Sequence, residues 1–134
     1  FRGESQELHF VALGHVVRKA NAKESDQREL SYFIGTDEKN GLPAILRREQ
    51  ANPDIEFDEG GRTQTLVYPV TELIFSYWDR VTEDWKESWD TEESATLNRL
   101  PDRVRIEIKM TMEDGTEQLF MSQSKIMMQK PLRL

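Results

Sequence analysis

Between residues 103 and 112 the chain alternates without a break: Val104, Ile106, Ile108, Met110 and Met112 interleave with Arg103, Arg105, Glu107, Lys109 and Thr111. Successive side chains of a β-strand point to opposite faces, so period two sorts this run into one apolar and one polar face. A helix would scatter both sets around its circumference. The run predicts a half-buried strand with Val104, Ile106, Ile108 and Met110 toward the core and Arg103, Arg105, Glu107 and Lys109 more exposed. Such a strand belongs in an antiparallel sheet, where one face is commonly left to water. Asp114 and Gly115 supply the return: glycine takes a positive φ without penalty and aspartate tolerates it well, so a tight hairpin leads into residues 116–121.

Strand signals dominate elsewhere too. Residues 8–13 are apolar on both sides except at His9, the pattern of a strand covered on both faces. Residues 30–34 and 44–49 flank a loop rich in Gly, Asp and Asn and predict a second hairpin. Residues 63–68 form a short strand leading to Pro69, which ends it or opens the next. In residues 70–79, Leu73, Phe75 and Tyr77 share one face, while Glu72, Ser76 and Trp78 share the other. The polar run 20–28 predicts a loop or one helical turn, residues 52–61 an acidic loop closed by Gly60 and Gly61, and Ile126 the last strand-like position before Pro131. The expectation is one domain over residues 1–134, mainly β, with two antiparallel sheets packed together and little helix.

A chain of 134 residues can bury roughly two-thirds of its unfolded surface, so it needs no covalent staples. It contains no cysteine, which removes disulfide frameworks and thiolate metal sites without assigning a compartment. A formal charge of −7 leaves no phosphate-neutralising stripe and argues against nucleic acid. No apolar run approaches the ~20 residues that span a bilayer. The opening Phe1-Arg2-Gly3 carries no initiator methionine, and the chain reads as an excised piece.

The chemistry-bearing residues do not converge on a reaction. Asp54, Glu56, Asp58 and Glu59 ahead of Gly60 imitate the start of an EF-hand loop, but Thr65 stands where the bidentate glutamate is required. His9 and His15 are the only imidazoles, and no glycine-flanked serine elbow accompanies them. No glycine-rich phosphate cradle runs from a strand into a helix. Trp78, Trp85 and Trp89 carry the largest apolar surfaces. Trp85 and Trp89 would share a face if their loop held a helical turn, forming a stacking platform for a sugar ring or an anchor for a protein. The favoured reading is that they fold back as a cap, with Trp78 mostly buried beneath.

Five short patterns carry a family resemblance: Phe1 and Gly3 with Leu8, Phe10 and Val11; Leu46 with Arg48; Val70, Leu73, Phe75, Tyr77, Trp78 and Asp79; Trp85, Ser88 and Trp89; and Leu100, Pro101, Val104, Ile106 and Ile108. Together they resemble the J-type minor pseudopilins of type II secretion systems. The resemblance spans nearly the whole chain and implies a pilin-like α+β fold whose long N-terminal helix is removed here. It also implies a non-enzymatic assembly subunit without catalytic residues, cofactor or metal. That subunit would join I- and K-type minor pseudopilins at the tip of a periplasmic pseudopilus, with secreted cargo as a further contact, and would be anchored in the inner membrane by the missing helix. On this reading Phe1, Leu8, Phe10, Trp85 and Trp89 are the candidate partner-surface residues. The alternative is a small β-sandwich module that binds carbohydrate or another ligand through Trp85 and Trp89.

Overall fold

The computed structural model describes residues 1–13, 27–50 and 61–128. Ten strands run in chain order: β1 (Arg2–Gly3), β2 (Glu7–Leu13), β3 (Gln27–Thr36), β4 (Pro43–Gln50), β5 (Arg62–Val67), β6 (Val70–Asp79), β7 (Asp84–Lys86), β8 (Trp89–Asp90), β9 (Arg103–Thr111) and β10 (Glu117–Lys125). The only helical element among the described residues is a 3-10 turn at Ser94–Thr96, and no described helix is long and apolar enough to cross a membrane. One sheet has the order β5-β4-β3-β2-β1-β8, the other β10-β9-β6-β7, and every pairing is antiparallel.

The alternation that opens the sequence sets the inner face of the four-stranded sheet. In β9, Val104 is buried and Ile106, Ile108 and Met110 pack partly buried against the core. Their partners across β6 are Tyr77, Phe75, Leu73 and Val70, which are fully or almost fully buried. Leu8, Phe10, Tyr32, Ile34 and Ile45 supply the facing layer from the six-stranded sheet. Aromatic rings run through the centre: Tyr77 meets Phe1 edge-on at 5.9 Å, Phe1 stacks on Phe10 at 6.3 Å, and Phe10 on Tyr32 at 6.2 Å. The sheets are also tied by backbone, since Phe75 N–H donates to Ser5 O and the Tyr77 hydroxyl to Glu4 O.

Both predicted hairpins form. Gly115 has φ +84°, and Met112 N–H bonds to Thr116 O, closing the β9–β10 turn. In the β3–β4 loop Asp37 accepts from Lys39 N–H, Asn40 N–H and the Thr65 hydroxyl, and these bonds, Thr65 foremost, hold its carboxyl below the usual carboxylate range. Pro69, in cis linkage to Tyr68, stands between β5 and β6. Two expectations need correction. Gln27 and Arg28 open strand β3 instead of continuing a polar loop, because they pair with Leu13 and Ala12 across β2. Trp78 is half-buried, not mostly buried, because it lies on the outer face of β6, opposite the core residues Phe75 and Tyr77. The remainder of the 20–28 run, the acidic loop with its EF-hand-like carboxylates, His15 and Pro131 lie outside the described residues.

Candidate partner-binding surface

The tryptophan loop is built in two halves. Trp85 sits on β7 opposite Trp78, on the outer face of the four-stranded sheet, where the rings meet at 5.3 Å and 65°. The Arg105 guanidinium lies 4.3 Å from the Trp85 ring centroid and covers its other side. Trp89 belongs to β8, in the other sheet, and its side chain enters the core at 2% exposure. Its indole N–H donates to Arg99 O at 2.8 Å, satisfying the one polar atom such burial would orphan. No helical turn brings Trp85 and Trp89 to one face. They lie in different sheets, so the shared sugar platform has no geometric basis.

A charge node fixes this loop to the sheet. Asp79, fully buried at the end of β6, accepts two bonds from the Arg99 guanidinium at 2.9 and 3.2 Å, one from Val81 N–H, and pairs with the Lys86 ammonium at 3.2 Å. The Arg99 hydrogen bonds, chiefly, hold the Asp79 carboxyl far below the ordinary carboxylate range despite its burial. Arg99 in turn covers Trp89 at 5.2 Å. One carboxylate thus joins β6, β7 and the segment leading to β9.

A second polar cluster lies on the face of the six-stranded sheet turned away from the core. His9 Nδ1 is 2.8 Å from Ser31 Oγ, and His9 Nε2 is 3.1 Å from a Glu7 carboxylate oxygen. This serine–histidine–carboxylate connectivity imitates a catalytic triad in outline. Ser31, however, is fully buried, and its oxygen accepts a bond from Arg48, whose guanidinium also pairs with buried Glu29. A hydroxyl enclosed in this way has no approach for a substrate, so the cluster holds three strands in register. Among the described residues no group of three His, Cys, Asp or Glu is placed to hold a metal ion.

One opening among the described residues is apolar. The facing layers of the two sheets leave a trough of about 1000 Å³, walled by Phe10 and Tyr32 on one side and by Ile106 and Ile108 on the other, with Leu66 and Met127 at its rim. Phe1 and Phe10 are half-buried in its wall, while Val11, Leu66, Met127 and Met128 stand exposed around it. Of the residues singled out in the sequence, Phe1, Leu8 and Phe10 therefore line one trough. Leu8 lies in the core behind it at 6% exposure, Trp89 is buried elsewhere, and Trp85 occupies the opposite face of the four-stranded sheet. Sequence reasoning missed Met127 and Met128, which follow the last strand without any periodic signal. It also missed the Asp79–Arg99 pair, whose partners are separated by twenty positions and gave no local pattern.

The comparisons with known proteins fit this geometry. No curated protein matches the chain. Among solved structures, a chain in the crystal structure of the GspK-GspI-GspJ complex from the enterotoxigenic Escherichia coli type 2 secretion system is similar in fold, with a TM-score of 0.59 and 21% identity. The match covers 89% of this chain and 67% of that one. The family model described as type II secretion system (T2SS), protein J, matches residues 1–122, which include every pattern that carried the resemblance as well as β1 to β9 and most of β10. The chain belongs to the protein J family of the type II secretion system.

Proposed function

We propose that the chain is a non-enzymatic assembly subunit, a minor pseudopilin that supports protein secretion from the tip of the pseudopilus. It would act as the periplasmic domain of a protein anchored in the inner membrane by a helix preceding Phe1, and it would join I- and K-type minor pseudopilins there. The observation that carries this reading is the open apolar trough in a chain of the protein J family. An exposed apolar depression of this size marks a site where another protein surface is buried. Its rim residues Val11, Leu66, Met127 and Met128 would then meet apolar residues of the neighbouring subunits, with Phe1 and Phe10 in the wall. The similar fold solved within a GspK-GspI-GspJ complex supports the choice of partners.

The test is co-elution of the chain with soluble I- and K-type domains from the same secretion system by size-exclusion chromatography. A stable complex at tens of micromolar is expected, weakened by Leu66→Glu or Met127→Glu. Absence of any complex at that concentration, with helix-containing forms also failing, would remove the assembly role.

A further inference from the structure

Among the described residues, three of the four outer strands of the two sheets are guarded against pairing with another chain. Strand β7 has three residues, β8 has two, and β5 begins with Arg62 and is paired through a register shift at Ile45 and Leu46. Strand β10 is not guarded. Its nine residues are all exposed and pair with β9 in unbroken register from Glu117↔Thr111 to Lys125↔Arg103. It holds no proline, and its only charges stand at its two ends, Glu117 and Lys125. Between them Leu119, Phe120 and Met121 are 62%, 46% and 62% exposed.

The hydrogen-bond phase of this edge follows from the bonds at its two ends. Met112 N–H donates to Thr116 O, and Ile126 N–H donates to Asp102 O. In an antiparallel pair, bonded and non-bonded positions alternate, so the even-numbered residues of β10 direct their backbone groups at β9. Glu117, Leu119, Met121, Gln123 and Lys125 direct theirs outward, which leaves five N–H and five C=O groups on the free edge.

We infer that β10 is the pairing edge for a second copy of this chain, joined antiparallel about a two-fold axis at Met121. In that register Met121 faces Met121 of the second copy, Leu119 faces Gln123, and Glu117 faces Lys125, with the last two pairs each occurring twice. All ten outward backbone groups find partners, since the pairing brings odd-numbered residues opposite odd-numbered ones. The terminal charges become opposite-sign pairs at both ends, although each copy as a whole is acidic. An axis midway between Phe120 and Met121 would set odd-numbered residues opposite even-numbered ones and lose the edge bonds. An axis at Phe120 would keep bonds among residues 117–123 but set Glu117 opposite Gln123 and Lys125 opposite Gly115, giving up both terminal charge pairs. The product is one continuous eight-stranded sheet with both troughs opening on the same side. This interface meets the trough only at Ser124 and Lys125, and the inference does not depend on the I- and K-type partners.

Sedimentation equilibrium of the chain between about 10 µM and 1 mM reads the association directly. A monomer–dimer equilibrium is expected. Met121→Lys, which sets two ammonium groups face to face, should abolish it across that range. Glu117→Lys or Lys125→Glu alone should raise Kd by about tenfold through two like-charge contacts, and the double exchange should return it to within about threefold. Amide exchange at residues 117, 119, 121, 123 and 125 should slow with concentration, while the even-numbered amides, already bonded to β9, stay unchanged. Strand β10 is exposed throughout, so these variants keep the fold, which circular dichroism verifies. A chain that stays monomeric at 1 mM, a dimer that survives Met121→Lys, or a double exchange that restores nothing would each overturn the inference.

Discussion

At the scale of single residues, two positions in the resemblance patterns have physical explanations. A Cβ built on Gly3 would lie 2.2 Å from the Tyr77 ring, so the first strand can approach β6 only with a hydrogen at that position. Gly3→Ala is expected to cost at least about 2–3 kcal/mol in urea denaturation, the upper range for overpacking, because Tyr77 is also held through its hydroxyl to Glu4 O. Burial pushes the Tyr77 phenol well above its ordinary pKa, so it donates that bond throughout the range in which the protein is handled. Asp79 is the other position. Its folded pKa is depressed, so its contribution is fully present above the unfolded carboxylate value of about 4 and is lost as pH falls toward the folded value. Acid titration of the unfolding free energy should therefore decline below pH ~4, and Asp79→Asn should flatten that decline. At neutral pH the substitution is expected to cost about 3 kcal/mol. This is the low end for breaking a buried pair, since the Arg99 and Lys86 side chains stay 33% exposed and can rehydrate.

At the scale of elements, legibility followed the range of the physics. The alternation in β9, the faces of β6 and the Asp114-Gly115 turn are local patterns, and all three stand in the structure as the sequence implied. The tryptophan loop was not legible, because its shape depends on two sheets competing for it. Trp85 pairs with Trp78 on the outer face of one sheet, while four residues later Trp89 is drawn into the core by β1 and capped by Arg99. A spacing of four suggested one helical face, but pairing with two separate strands overrode local geometry. The two rings should therefore differ sharply in thermal and urea unfolding. Trp89→Ala should cost about 3–5 kcal/mol through cavity formation, and Trp85→Ala about 1–2 kcal/mol through the loss of a half-covered surface contact. Equal costs would mean that both rings belong to the core.

For the whole molecule, the sequence disclosed two antiparallel sheets but not the space between them. A trough is a property of how far two layers stay apart, and no periodicity within a strand encodes that distance. The half-burial of Ile106 and Ile108 is its trace: these residues have the pattern of core positions, yet they line an opening. The same fact separates stability from association. Leu66 is 47% exposed and Met127 83% exposed in the isolated chain, so a glutamate at either position displaces water and little else. Leu66→Glu and Met127→Glu are expected to change the unfolding free energy by no more than about 0.5 kcal/mol, as substitutions away from packed atoms do. In a complex with apolar residues across the trough, the same carboxylate would be desolvated without a cation to pair with, which costs several times more. The expected pattern is thus an unaltered denaturation midpoint together with at least tenfold weaker binding of the I- and K-type domains, read by calorimetric titration. Wild-type affinity in these variants would place the contact on another face of the domain, and a lowered midpoint would show that the rim is part of the core.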